Sequence, residues 1–168
     1  AIAEAIEREG FREPRGIVQG HMAEVKTALH PHQFVMYRPA QYASPDFFYQ
    51  PFDPAHNYPW TAAVDLISGK SVHVLAELVF SRDSLAAQGY ATPRPYTQVT
   101  SSGCAAGVSL EDASLRALLE IIERDAFMRH WLNQEAGLLV PHDKTPKPII
   151  ARVAALEAAG CRISLQQL

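Results

Sequence analysis

Two stretches of the chain repeat the same spacing of two carboxylates and a guanidinium, Glu-x-x-Glu-Arg. One copy runs from Glu4 to Arg8, and the other runs from Glu120 to Arg124. In a helix, two carboxylates at this spacing lie one turn apart on the same side and can share a cation. Carboxylate oxygens suit Mg²⁺, which also binds substrate phosphates, and arginines pair with phosphates in a forked geometry. The spacing therefore predicts magnesium and phosphate chemistry.

A simpler interpretation applies to either helix taken alone. The second copy lies in a stretch that is apolar around most of its helical circumference, which predicts a buried helix. Buried carboxylates need cationic partners, and Arg116 and Arg124 could supply them as plain ion pairs. For a single helix, this ion-pair interpretation is favoured over a cation site.

The repeat of the motif favours a cation site over plain ion pairs. Residues 1–9 match residues 117–125 without a gap at the alanine, isoleucine, glutamate and arginine positions. Two such helices in one core would gather four carboxylates and two arginines. These are Glu4, Glu7, Arg8, Glu120, Glu123 and Arg124. The rise from Asp112 to Glu120 is about 12 Å, which is too long for one ion but fits a triphosphate with more than one Mg²⁺. No Walker sequence is present, which excludes a P-loop enzyme.

Helices and one clear hairpin must position these residues. Residues 1–8 fit an amphipathic helix. Residues 60–66 and 71–77 alternate between apolar and polar side chains around a turn at 68–70, which predicts a β-hairpin. The other expectations for this half are a loop at 10–16, short strands at 17–18 and 33–37, a helix at 22–29 and an ordered loop at 39–59.

The longest helix is expected to run from Ser109 to about Asn133. Ser109 is a favourable N-cap, and Asp112 falls at the third helical position, where its side chain can help to cap the helix. A turn of small residues, bracketed by Gly103 and Gly107, leads into this helix. Beyond it we expect a strand at 138–140, a helix at 149–159 ended by Gly160, and a strand at 161–165. The segments together predict an α+β fold, with an antiparallel-rich sheet packed against the two Glu-x-x-Glu-Arg helices.

Composition excludes several other classes of function. The 168 residues carry a net charge of −3 without a basic run, which argues against nucleic-acid binding. No apolar stretch is long enough to span a membrane and no signal peptide is recognisable, so a cytoplasmic protein is expected. We expect one domain over residues 1–168. Because the chain opens within a helix and closes on a strand, that domain is expected to be truncated at both ends.

Residues 101–113, continued by residues 118–126, closely resemble the signature of YcaO-like proteins. In that family a Ser-Asn-Gly-like turn and Ala-Ala-Gly lead into Glu-Glu-Ala and then Leu-x-Glu-x-Ile-Glu-Arg-Asp-Ala. The opening helix with Glu4 and Glu7, and the hairpin at 60–78, are similar to earlier segments of the family. The resemblance covers most of the chain and implies the mixed α/β fold of YcaO-like proteins.

The resemblance also implies ATP and Mg²⁺ as cofactors. Four carboxylates match the metal-binding positions of the family, namely Glu4, Glu7, Glu120 and Glu123. The residues implied for phosphate binding are Arg124, Arg8 and Asp112. Three positions depart from the family pattern: Asp112 replaces a glutamate, Val108 stands where Asn is frequent, and Ala105 stands where Ser is often found.

The activity implied is ATP-dependent activation of a backbone amide in a ribosomally made precursor peptide. With a Cys, Ser or Thr side chain of the substrate as nucleophile, the product is an azoline, whereas members that use sulfide make thioamides. A ThiF-like or leader-peptide-binding partner protein is implied, and a homodimer is compatible with this activity. His130 could act as an acid–base group near the substrate, but a helix-end histidine beside a core tryptophan is the simpler interpretation.

Two further interpretations stay open. A catalytically silent YcaO-like scaffold that binds a partner is suggested by Val108 and by the truncated ends. An unrelated α+β domain, in which the carboxylates only make ion pairs, would require the two glutamate pairs to lie far apart. We expect a phosphate-binding segment to precede Ala1 in the whole domain, and therefore expect the isolated chain to hydrolyse no ATP.

Overall fold

The computed structural model describes residues 2–34, 37–90 and 95–167. The chain divides into two compact units, Ala1–Arg116 and Ala117–Leu168. Helices accompany antiparallel sheets, so the expected α+β fold is confirmed, whereas the packing of a sheet against two equivalent helices stays a prediction. The helices are α1 (Ile2–Arg12), α2 (Pro39–Tyr42), α3 (Arg82–Ala87), α4 (Leu110–Asn133) and α5 (Lys147–Ala158). The strands are β1 (Val18–Gly20), β2 (Tyr58–Val64), β3 (Ser71–Leu75), β4 (Leu138–Leu139) and β5 (Gln166–Gln167).

The sheet of the first unit contains the predicted hairpin. Strands β1, β2 and β3 lie side by side in that order, and both pairs are antiparallel. Between β2 and β3, the Oδ1 atom of Asp65 accepts hydrogen bonds from the backbone N–H groups of Ile67 and Ser68, each at 2.8 Å. Gly69 follows with a φ of +69°, a conformation that glycine adopts without steric cost. The hairpin is therefore confirmed.

Aromatic side chains form the core beside this sheet. Trp60 is fully buried in β2, and its indole N–H donates to the carbonyl oxygen of Gly20 at 2.9 Å. Tyr58 stacks on Phe52 with ring centroids 5.0 Å apart. Burial of large aromatic rings supplies much of the free energy that holds a small core together. The cluster consists of Val25, Phe52, Tyr58, Trp60, Leu75 and Tyr96.

The helix expected at residues 22–29 is wrong. The segment forms turns, with Thr27 at a φ of +57°. Its backbone pairs instead with β3: Leu29 N–H donates to His73 O at 2.8 Å, and His73 N–H donates to Thr27 O at 3.0 Å. Hydrogen bonds to an open strand edge satisfy the backbone groups that a helix would have satisfied internally.

Four smaller expectations also need correction. Helix α1 continues to Arg12, into the expected loop, and β1 begins at Val18 rather than at residue 17. The loop at 39–59 contains the short helix α2. At the expected strand 33–37, a 3₁₀ turn covers Pro31–Gln33, and residues 35 and 36 lie outside the described part of the chain.

The second unit contains α5 and a two-stranded sheet. Gly160 has a φ of +86° directly after the α5 C-cap, as predicted for the residue that ends this helix. Strand β4 confirms the strand expected near 138–140. The strand expected at 161–165 is wrong, because the pairing begins where Val140 N–H donates to Leu165 O and continues in β5.

Helix α4 has the expected span, but the expectation that it is buried is wrong. None of its residues is buried, and the side chains of Leu118 and Ile122 are 44% and 56% exposed. An apolar circumference shows which faces a helix can bury, and burial also needs another layer of structure over each face. No helix in the described part of the chain is long and apolar enough to cross a membrane.

Candidate functional site

The first Glu-x-x-Glu-Arg copy lies on α1 as predicted. Arg8 donates from Nη2 to Oε1 of Glu4 at 2.6 Å, one helical turn away. Glu7 is half-buried, unlike Glu4, which is exposed. The end of α1 is held in place by Ser81, whose backbone N–H donates to Phe11 O at 3.0 Å. This bond fixes the turn of α1 that follows Glu7.

The small-residue loop before α4 packs tightly on the first turn of that helix. Gly103 has a φ of +85°, and Cys104 N–H donates to Ser101 O at 2.9 Å. A Cβ atom on Gly107 would lie 2.5 Å from the backbone nitrogen of Ala113, a separation that real Cβ atoms do not adopt. The third residue of the Ala-Ala-Gly sequence therefore must be glycine, because the backbone approaches α4 so closely.

Glu7 and this loop line the same cleft in the first unit. The cleft has a volume of about 530 Å³ and is bordered by Glu7 and Phe11 of α1, by residues 103–107, and by Ser109 at the start of α4. Backbone amides at the beginning of a helix, together with a loop of small residues, favour the binding of anions. Glu7 and the turn between Gly103 and Gly107 are both recognisable from the sequence, but their proximity is not.

Asp112 links the loop to the first turns of α4. The N–H of Asp112 donates to Oγ of Ser109 at 3.2 Å, which confirms Ser109 as the N-cap. The Oδ2 atom of Asp112 accepts from Val108 N–H at 3.1 Å, and Oδ1 accepts from Nε of Arg116 at 3.0 Å. The bond from Val108 and, after it, the one from Arg116 lower the pKa of Asp112 below its ordinary value. The side chain is thus held as a carboxylate.

The second Glu-x-x-Glu-Arg copy lies on α4 within the second unit. Arg124 donates from Nη2 to Oε1 of Glu120 at 3.4 Å. Glu123 and Arg124 border a cleft of about 610 Å³, together with apolar residues that include Leu119 and Phe127. One carboxylate of each copy is paired with an arginine of its own helix, and the other carboxylate of each copy borders a cleft.

These contacts bear on the choice between ion pairs and a metal site. The pairs Glu4–Arg8, Asp112–Arg116 and Glu120–Arg124 are the helical ion pairs of the simpler interpretation. Among the described residues, no group of three or more His, Cys, Asp or Glu side chains is arranged to hold a metal ion. Because the glutamate pairs belong to different units, the joint site of four carboxylates stays a prediction.

His130 lies in a third cleft, within the second unit. This cleft of about 490 Å³ is bordered by Phe127, Trp131 and Glu135 as well as by His130. The Nδ1 atom of His130 is 3.9 Å from Oε2 of Glu135 and has no hydrogen-bond partner in the described residues. Trp131 is 70% exposed, so it is not the core tryptophan of the simpler interpretation.

Glu77 is a buried carboxylate that the sequence analysis did not single out. Its side chain is 6% exposed, and Oε1 accepts a hydrogen bond from Tyr96 N–H at 2.8 Å. Burial raises the pKa of Glu77 to about 7, although the Tyr96 N–H and the nearby Arg82 act in the opposite direction. A single glutamate at the end of a β-pattern carries no sequence signal for such burial.

Comparison with known protein families agrees with the resemblance seen in the sequence. A family model described as YcaO cyclodehydratase, ATP- and Mg²⁺-binding, matches residues 1–168. The chain belongs to the YcaO family. A comparison with curated proteins found no match.

Solved structures share the fold. A heterocyclase in complex with substrate and cofactor is 23% identical with a TM-score of 0.77, over 95% of this chain and 22% of its own. The heterocyclase TruD is 24% identical with a TM-score of 0.73, over 95% of this chain and 24% of its own. YcaO from Methanopyrus kandleri, bound with AMPPCP and Mg²⁺, is 22% identical with a TM-score of 0.66, over 99% of this chain and 37% of its own. The YcaO chain described here thus spans between about a fifth and two fifths of the length of these relatives.

Proposed function

We propose that this YcaO chain takes part in the ATP- and Mg²⁺-dependent activation of a backbone amide in a ribosomally made precursor peptide, with azoline heterocycles as the product. The observation that carries the proposal is the cleft shared by Glu7 and the Ala-Ala-Gly loop at the start of α4. In it, a carboxylate able to bind Mg²⁺ faces backbone suited to phosphate. The family match to an ATP- and Mg²⁺-binding cyclodehydratase supports the same chemistry.

The donor set fits the proposed cofactors. The carboxylates proposed to hold Mg²⁺ are Glu4, Glu7, Glu120 and Glu123. They provide only oxygen ligands, as Mg²⁺ prefers, and each pair is one helical turn apart. Arg8 and Arg124 are proposed to hold phosphate oxygens, since a guanidinium matches their geometry. Bound ATP and Mg²⁺ supply the phosphoryl group and the cations that activate the amide oxygen.

Other parts of the proposal concern the substrate and its partners. A Cys, Ser or Thr side chain of the precursor peptide is the nucleophile, and a ThiF-like or leader-peptide-binding protein delivers the peptide in the cytoplasm. His130 is the group proposed for proton transfer near the substrate. Two of the solved structures that share the fold are heterocyclases, one of them with substrate and cofactor, which supports the azoline product. A thioamide-forming enzyme is the alternative.

The proposal is tested by assaying the whole protein with candidate precursor peptides and the partner protein. We expect phosphate release that depends on peptide and Mg²⁺, with loss of one water from the peptide for each residue cyclised. Replacement of oxygen by sulfur in the product would establish the thioamide alternative instead. Calorimetry that detects no binding of ATP with Mg²⁺ would leave only the scaffold interpretation.

A further inference from the structure

The carboxylate of Asp112 makes its contacts with the backbone of the loop and with its own helix. One oxygen accepts from Val108 N–H at 3.1 Å, and the other accepts from Arg116 Nε at 3.0 Å. The side chain of Val108 is 99% exposed, so this residue contributes its backbone N–H rather than its side chain. The hydrogen bond can therefore form with any residue at position 108 except proline, which lacks the donor.

The same carboxylate also packs against Gly107. A Cβ atom on Gly107 would lie 2.7 Å from Oδ2 of Asp112, so this oxygen lies directly over the end of the Ala-Ala-Gly sequence. Asp112 N–H is bonded to Ser109, which fixes the helical turn that carries the carboxylate. Arg116 then orients the carboxylate from one turn further along α4. Asp112 thus connects the loop 103–107, the N-cap Ser109 and Arg116.

We infer that Asp112, oriented by Arg116, is a positioning residue that fixes the loop 103–107 as a wall of the Glu7 cleft. Its importance for catalysis rests on the proposed function, in which that cleft binds ATP and Mg²⁺. Asp112 acts there through the Val108 N–H and the close approach of Gly107. The resemblance implies a direct phosphate-binding role for Asp112 instead. That role predicts weaker ATP binding after substitution, without any change of the loop 103–107 in the nucleotide-free protein.

The test uses amide hydrogen exchange in residues 103–109 of the nucleotide-free protein. Asp112→Asn removes the charge, and Arg116→Met removes the orienting guanidinium from an exposed position. We expect both to accelerate exchange in the loop about fivefold, as is typical for the loss of a capping interaction. Arg129→Met is the matched control: Arg129 pairs with Asp125 at 2.8 Å on the same helix but away from the loop, and should leave exchange there unchanged.

A second readout follows the thiol of Cys104 in a Cys161→Ser background. Its reaction with a chromogenic disulfide should accelerate in the Asp112→Asn and Arg116→Met proteins. Calorimetry should show weaker binding of ATP with Mg²⁺ to both variants, and the whole protein carrying either change should recover its phosphate release at saturating nucleotide. Unchanged exchange and thiol reactivity in both variants would overturn the inference. Failure of the unaltered protein to bind ATP would overturn the proposed function but not the loop result.

Discussion

Glu77 is a buried residue whose ionisation is less favourable in the folded protein than in the unfolded chain. Its carboxylate is buried beside the first sheet, where burial raises its pKa from 4.5 to about 7. The native protein therefore binds a proton at Glu77 more tightly than the unfolded chain does. Stability contributed by this group is present at low pH and is lost as the pH rises between these two values.

Replacing Glu77 by glutamine should remove that pH dependence. The amide oxygen of glutamine can still accept the Tyr96 N–H, but it carries no charge at any pH. As the pH rises from 4.5 to about 7, ionisation of Glu77 should lower the unfolding free energy of the unaltered protein by roughly 3 kcal/mol at most. The Glu77→Gln protein should not show this loss. Urea unfolding below and above the range measures the difference. Glu9→Gln, at an exposed position, is the control, and equal pH slopes in all three proteins would contradict the prediction.

Single residues differ in how far their roles could be predicted from sequence. Ser109 as a cap follows from local chemistry, since its hydroxyl needs only the N–H groups of the next turn. The burial of Glu77 could not be predicted, because it depends on Tyr96, which lies 19 residues away in the chain. The exposure of Glu4 and the partial burial of Glu7 also depend on tertiary contacts that the repeated motif does not contain.

At the level of elements, local sequence patterns predicted correctly those elements whose backbone hydrogen bonds are internal to the element. The hairpin β2–β3 and the helices α4 and α5 have internal hydrogen bonds and clear end signals, and all three were predicted. Residues 22–29 pair with β3 through bonds between residues more than 40 positions apart, so a helical pattern was overridden. The last strand lies at Gln166–Gln167 rather than at 161–165 for the same reason, since register is set by the partner strand.

The contact between the Ala-Ala-Gly loop and α4 gives a prediction at this scale. Gly107→Ala places a Cβ atom 2.5 Å from the backbone nitrogen of Ala113, so the loop or the helix must shift. We expect a loss of about 1–3 kcal/mol in unfolding free energy, the usual cost of overpacking. Denaturant unfolding followed by circular dichroism measures it.

Gly10→Ala is the matched control for this substitution. Gly10 lies within α1, and nothing lies within 4 Å of a Cβ atom built on it. Because glycine is unfavourable inside a helix, this change should stabilise the protein by about 0.5–1 kcal/mol. If the Gly107→Ala and Gly10→Ala proteins had the same unfolding free energy, the loop could not approach α4 as closely as the structure shows.

At the scale of the whole molecule, the question is whether the repeated helices serve one site. Each copy of Glu-x-x-Glu-Arg pairs one glutamate with its own arginine and leaves the other at a cleft, so the copies are locally equivalent. Sequence identifies this equivalence, because the spacing is local. It does not determine whether the copies meet, since that depends on how sheets and helices far apart in the chain pack together.

A double-mutant cycle with Glu7→Gln and Glu123→Gln addresses this directly. If both carboxylates hold the same ATP and Mg²⁺, each single change should weaken binding about tenfold or more, as is usual for groups that support a metal. The double change should then cost less than the sum of the two free energies, because one substitution already disrupts the shared site. Calorimetry with ATP and Mg²⁺ measures the four affinities. Glu9→Gln, two residues from Glu7 but outside its cleft, should bind normally. Losses that add without coupling would mean that the two helices act at separate sites, and unchanged affinity in both single variants would reduce the repeated motif to helical ion pairs.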